Sequence, residues 1–196
     1  MHVHGKTARR PARPARGFTL VELMITVAVL AVVAGLAAPL FAGVINGNRL
    51  TSTANEIAAG IQAARMEALR RGVRVTLCQS TNGTTCSTTT PWQGWLVFAD
   101  ANGNNAPDAG EITQTGRIEA PLRVTASSNL ANNRMSFRAD GIAYSADTLL
   151  TGNIRVCMPA TNPPRNARDI NIAPGGRVSV RNPAAGVGAS CPAAVN

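Results

Sequence analysis

From Leu23 to Ile45 the chain is uncharged and built mostly of Leu, Val, Ile, Ala, Phe and Met. At a helical rise of about 1.5 Å per residue, that run is long enough to cross the core of a bilayer. It contains Gly35 and Pro39, and Pro39 removes a backbone donor, which predicts a kink or a local loosening. A second helical pattern runs from about Asn48 to Arg71. Leu50, Ala54, Ile57, Ile61, Ala64 and Ala68 step by four and three to make one apolar stripe. Arg49, Asn55, Glu56, Gln62, Arg65, Glu67 and Arg70 fall off it. Gly72 is placed to end the helix. One long helix is therefore expected, its first half suited to a membrane and its second half to packing on a sheet.

After Gly72 the periodicity shortens. Val73–Gln79 alternates apolar and polar positions, and Trp92–Ala99 reads as a more buried strand. Further strands are predicted at Ile112–Glu119, Leu122–Ser127, Arg134–Phe137, Asn153–Met158, Asp169–Ile172 and Arg177–Arg181, with Asp140-Gly141 as a turn. The expected class is α+β, a long amino-terminal helix on an antiparallel sheet. The expected divisions are a leader at 1–17, a membrane-type helix at 18–46, an amphipathic half at 47–72 and a β-rich globular domain at 73–196.

Charge and composition sharpen this picture. The net charge is +9, and Lys6, Arg9, Arg10, Arg13 and Arg16 supply five positive charges before the apolar run, with no acidic residue among them. A basic flank of this kind stays cytoplasmic, so residues after the apolar run face the other side. After Ala120 there are eight Arg and three Asp, which concentrates the remaining excess in the distal third. With the leader and membrane segment set aside, about 150 residues remain, enough for one domain with its own core. Aromatic residues are few, so that core must be aliphatic.

Four cysteines lie beyond the membrane segment, where an oxidising compartment favours two disulfides. Cys78 and Cys86 bracket a polar loop, leaving Cys157 and Cys191 to tie the last strands to the carboxyl end. A zinc site is the alternative, but no C-x-x-C pair is present and His2 and His4 both sit in the leader.

Glu22 interrupts the apolar run near its start. A carboxylate there is costly and needs a partner or a purpose. The stretch Gly17-Phe18-Thr19-Leu20-Val21-Glu22-Leu23, behind its basic leader, resembles the processing site of type IV pilins and type II secretion pseudopilins. The alternative is a plain signal anchor that carries one Glu. The resemblance implies that a prepilin peptidase cuts between Gly17 and Phe18 and methylates the new terminus. It further implies that Glu22, fifth in the mature chain, pairs with a neighbouring subunit's terminus during assembly. Three further stretches resemble the FimT/GspH branch of that group: Trp92 to Asp100, Phe137-Arg-Ala-Asp-Gly141, and Ile172 to Arg181. The family location this implies is a single pass through the inner membrane with a periplasmic domain, followed by passage into a pilus or pseudopilus among other pilin or pseudopilin subunits.

Function separates within that branch. Arg177, Ser179 and Arg181 should share one face of the last strand, after a Gly175-Gly176 turn. FimT-like pilins of DNA uptake are similar in presenting Gly-Arg-x-Arg near the carboxyl end. Here Ser179 takes the second Arg position, and the Arg comes two residues later. Arg165 and Arg168 are candidates to extend the patch, and Arg155 has no evident place. Double-stranded DNA held this way would be bound without sequence preference and in a salt-sensitive manner. A solvated basic strand end is the alternative, and a type II secretion pseudopilin contacting protein is the second functional reading.

Asp100, Asn102, Asn104, Asp108 and Glu111 fall at positions 1, 3, 5, 9 and 12 of a loop, the ligand spacing of a helix–loop–helix calcium site. Asn105 stands where that loop has Gly, and the flanks read as strands. An Asn/Asp-rich hairpin is the alternative. No cofactor is expected beyond a weakly held calcium ion. Beyond the leader there is no His, and no Gly-rich phosphate loop precedes a helix. The chain reads as a non-enzyme.

Overall fold

The structure, a computed structural model, describes residues 17–183 and 187–195, without the side chains of residues 38–40. The basic leader and the Pro39 ring therefore lie outside the described residues. One helix, α1, spans Leu20–Arg71. The chain divides into two units, one ending at Leu40 and the other covering Phe41–Asn196.

In the first unit Thr19 stands just before the helix. Its Oγ1 accepts the Glu22 N–H at 3.2 Å and its carbonyl accepts the Leu23 N–H at 3.1 Å. Thr-x-x-Glu is the spacing of a capping box, and an acidic first turn also complements the helix dipole. The side chains of this unit that follow are exposed and apolar, Val21, Leu23, Met24, Ile25, Val27 and Leu30 among them. The helix is long and apolar enough to cross a membrane.

In the second unit the predicted stripe is the buried stripe. Leu50, Ala54, Ile57, Ile61, Ala64 and Ala68 have no exposed surface. The helix ends at Gly72, whose φ is +68° and whose N–H donates to the Ala68 carbonyl at 2.9 Å. A positive φ there is cheap only for Gly.

Among the described residues ten strands follow: β1 (Arg74–Gln79), β2 (Gly94–Asp100), β3 (Ile112–Arg117), β4 (Arg123–Ala126), β5 (Arg134–Phe137), β6 (Ala143–Ser145), β7 (Thr148–Leu149), β8 (Gly152–Cys157), β9 (Ala167–Ile172) and β10 (Val178–Arg181). They form two antiparallel sheets where one was expected. The first has the order β3-β2-β1-β5-β6-β7 and the second β10-β9-β8-β4. The division arises because β4 pairs with β8, across 28 to 34 residues of chain, and not with its sequence neighbours. Periodicity identifies faces but not partners. An isolated bridge between Trp92 and Val124 links the lead-in to β2 with the second sheet.

One core joins the helix stripe to the inner faces of both sheets. Val75, Leu77, Trp95, Val97, Met135 and Phe137 come from the first sheet, and Val124, Ile154, Val156, Ile170 and Ile172 from the second. β2 is buried on both faces. Leu96 and Phe98 form a small outer cluster with Cys78, Cys86 and Ile112, so the disulfide-closed loop covers them.

Candidate functional site

The turn between β9 and β10 closes as the glycine pair requires. Gly176 N–H donates to the Ala173 carbonyl at 2.8 Å, Ala173 N–H donates to Arg177 O at 3.0 Å, and Gly176 holds a φ of +70°. A Cβ at Gly176 would stand 2.7 Å from the Gly141 carbonyl. Beyond this turn Arg177, Ser179 and Arg181 are exposed, while Val178 and Val180 pack against the core. The three exposed side chains line a groove of about 360 Å³ together with Asn153, Asn171 and Pro174. Among the described residues no carboxylate lines it. Neither Arg177 nor Arg181 makes an ion pair among the described residues.

Arg181 stands opposite Asp169 in register, but that carboxylate is already engaged. Arg155 takes it with two bonds of 2.7 Å, through Nε and Nη2. Hydrogen bonding to Asp169 holds the Arg155 guanidinium above its ordinary pKa. Arg155 Nη1 also donates to the carbonyls of Pro192 (3.4 Å) and Ala193 (3.2 Å). The carboxyl-terminal segment thus lies over this part of the second sheet, and Asn153 Nδ2 donates to the Val195 carbonyl. This answers the open placement of Arg155: it is structural.

Arg168 does not extend the patch. It lies one residue out of phase with Asp169 and Asn171, on the helix side of β9 with Ile170 and Ile172. Its Nε reaches Thr51 Oγ1 of α1 at 3.3 Å, and Nη1 donates to the Arg165 and Ala167 carbonyls. Burial pushes its pKa down. Arg165 is exposed in the loop before β9.

Both disulfides form in the expected pairing, Cys78–Cys86 and Cys157–Cys191. The second fixes the carboxyl-terminal segment against Ala167 and Val187. Asn166 adds to it, accepting the Val187 N–H (3.0 Å) and donating to the Gly188 carbonyl (2.9 Å). The cysteine count pointed to this tie, but nothing in the spacing singled out Arg155 or Asn166 as its further holds.

The loop from Asp100 to Glu111 joins β2 to β3. Asn105 has a φ of 59°, which Asn tolerates. Among the described residues, no three carboxylate, His or Cys groups converge to hold a metal. At the other end of the chain, Gly17 and Phe18 precede the helix and Glu22 is exposed on its first turn.

An exposed apolar helix that begins at a Gly-Phe-Thr-Leu-Val-Glu motif, with its second half buried under antiparallel sheets, defines a pilin-like protein. Residues 53–176 match the family described as type II transport protein GspH, and the chain belongs to that family. Residues 12–38 match the prokaryotic N-terminal methylation motif. The chain is similar to the pilin-like protein PilA1 of Thermus thermophilus, with 38% identity over 98 residues. That match covers 49% of this chain and spans only 55% of the relative's length.

Two solved structures share the fold. The type IV minor pilin FimU of Pseudomonas aeruginosa (strain PAO1) aligns with a TM-score of 0.51 and 18% identity, over 72% of this chain and 96% of that one. The minor pseudopilin EpsH from the type 2 secretion system of Vibrio cholerae aligns with a TM-score of 0.51 and 7% identity, over 69% and 98%. A pilus subunit and a secretion subunit fit equally well, so the fold alone does not choose between them.

Proposed function

We propose that this chain is a minor pilin of the FimT kind, a type IV pilus subunit that binds double-stranded DNA without sequence preference for uptake. In this reading its apolar helix inserts in the inner membrane with the globular domain in the periplasm. A prepilin peptidase cuts between Gly17 and Phe18, and the new amino terminus is methylated. Glu22 then pairs with the terminus of a neighbouring subunit, an interaction strengthened in a low-dielectric setting. The chain acts by assembly and binding, not by catalysis.

The observation that carries the DNA reading is the pair of exposed guanidinium groups, without an ion pair or a carboxylate beside their groove among the described residues. Four strand steps separate Arg177 from Arg181, or about 13 Å. That span is close to the width of a DNA major groove, about 12 Å, so the two forks reach phosphates on either side of it. Arginine suits such bidentate contacts.

The family match favours a second reading, a pseudopilin of a type II secretion system whose distal face contacts protein. A deletion strain complemented with the full chain separates the two. Under the first reading, Arg177→Ala with Arg181→Ala lowers transformation frequency by at least about tenfold, as expected for losing two phosphate contacts, and leaves protein secretion unchanged. A secretion defect with normal transformation would replace the first reading with the second.

A further inference from the structure

The loop between β2 and β3 is held by its own side chains. Asn105 N–H, at the sixth position, donates to Asp100 Oδ2 at 3.2 Å. Asn104 N–H donates to Asn102 Oδ1 (3.0 Å), and Ala106 N–H donates to Asn104 Oδ1 (2.8 Å). Glu111, at the twelfth, closes the loop by accepting the Ala101 N–H through Oε1 at 2.9 Å. Arg74 and Arg134 fasten it from below, to the Asn105 side chain (2.6 Å) and carbonyl (2.9 Å) respectively.

These bonds hold the loop but do not themselves call for a ligand. Asp100 does. It is 5% exposed, and its Oδ2 is turned to the loop backbone at Asn105. Its Oδ1 is buried with no hydrogen-bond partner among the described residues. A carboxylate oxygen withdrawn from water and left without a donor is costly and rare. A cation within the loop would satisfy it.

We propose that this loop binds one calcium ion, with Asp100 Oδ1 as its first ligand. Asn102 and Asn104 supply amide oxygens, Ala106 supplies the seventh-position carbonyl, and Asp108 and Glu111 supply carboxylates. Asp108 Oδ2 currently accepts from the Nδ2 groups of Asn102 (2.8 Å) and Asn104 (2.7 Å). Binding exchanges those two bonds for the ion, which is why three carboxylates do not converge beforehand. With only three carboxylates and two guanidinium groups nearby, the site belongs to the weak extracellular class, with a dissociation constant of about 10⁻⁴ to 10⁻³ M. Magnesium demands a tighter octahedron and sheds water reluctantly, so this loop should favour calcium over it.

The test is thermal melting of the full chain in neutral detergent, with calcium or magnesium chloride at matched ionic strength. Calcium at about 5 mM should raise Tm by about 4 °C, with magnesium near zero. Asp108→Asn and Glu111→Gln should each lose the calcium shift, read against that variant's own ion-free Tm. No calcium shift, an equal shift with magnesium, or a shift that survives both variants would overturn the proposal.

Discussion

Arg155 grips Asp169 across β8 and β9 with two 2.7 Å bonds, and the Arg155 side chain is only 9% exposed. This pair leaves Arg181, opposite Asp169 on the next strand, exposed and without an ion pair among the described residues. Removing one member strands the other charge in a half-buried place. Arg155→Ala should therefore cost about 2–4 kcal/mol in urea unfolding, whereas replacing both residues with apolar ones should cost much less. The freed Asp169 should also draw on Arg181, so the single variant should bind DNA less well than its folded fraction explains.

Trp95 occupies a slot made by two absent side chains. A Cβ at Gly60 on α1 would stand 2.8 Å from the Trp95 ring, and one at Gly116, its register partner on β3, would meet the ring as well. Helix propensity favours Ala over Gly by about 1 kcal/mol, but the clash should outweigh that. Gly60→Ala and Gly116→Ala should each destabilise by about 1–3 kcal/mol, read as a lowered denaturation midpoint at unchanged slope.

The two disulfides should differ in worth. Their sequence separations are 8 for Cys78–Cys86 and 34 for Cys157–Cys191. Loop-closure entropy gives about 2.5 kcal/mol for the shorter and about 3.8 kcal/mol for the longer. Paired Cys→Ala variants should preserve that order. Loss of the longer one should also release the carboxyl-terminal segment, visible as faster hydrogen exchange in β8 and β9.

Glu67 provides a pH marker on the exposed side of α1. It accepts from Arg70 at 2.8 and 2.7 Å and also pairs with Arg71. The hydrogen bond from Arg70, more than any other cause, lowers its pKa from 4.5 to about 2. A depressed carboxylate pKa stabilises the fold above the unfolded value, and that contribution is lost as pH falls through the folded one. Stability should thus decline between pH 4.5 and about 2, by under about 1 kcal/mol for an exposed pair. Glu67→Gln should flatten that part of the profile.

Much of this fold is legible from residue spacing. The helix stripe from Leu50 to Ala68, its stop at Gly72 and the alternation of Arg177, Ser179 and Arg181 against Val178 and Val180 all follow from period and turn chemistry. β6 and β7 are not legible, because their turn is built on Ala146 and Asp147 at positive φ, with neither Gly nor Asn to announce it. The misplacement of Arg168 has a related cause. A strand begun at Asp169 leaves Arg168 in a loop, free to join the patch. Begun at Ala167, as it is, the same alternation puts Arg168 beside Ile170 and turns it to the helix. The Arg155–Asp169 pair required knowing which strands are neighbours, and single-strand patterns hold no such information.

The most direct test of the DNA-binding account is the salt dependence of duplex DNA binding by the full chain in neutral detergent. The account predicts a linear fall of log K with log salt, and Arg177→Ala with Arg181→Ala should make the slope shallower by about 2, at roughly 0.9 per phosphate contact. Sequence changes in the duplex should leave the wild-type line in place. No binding at low salt, or a slope unchanged by the double substitution, would contradict it.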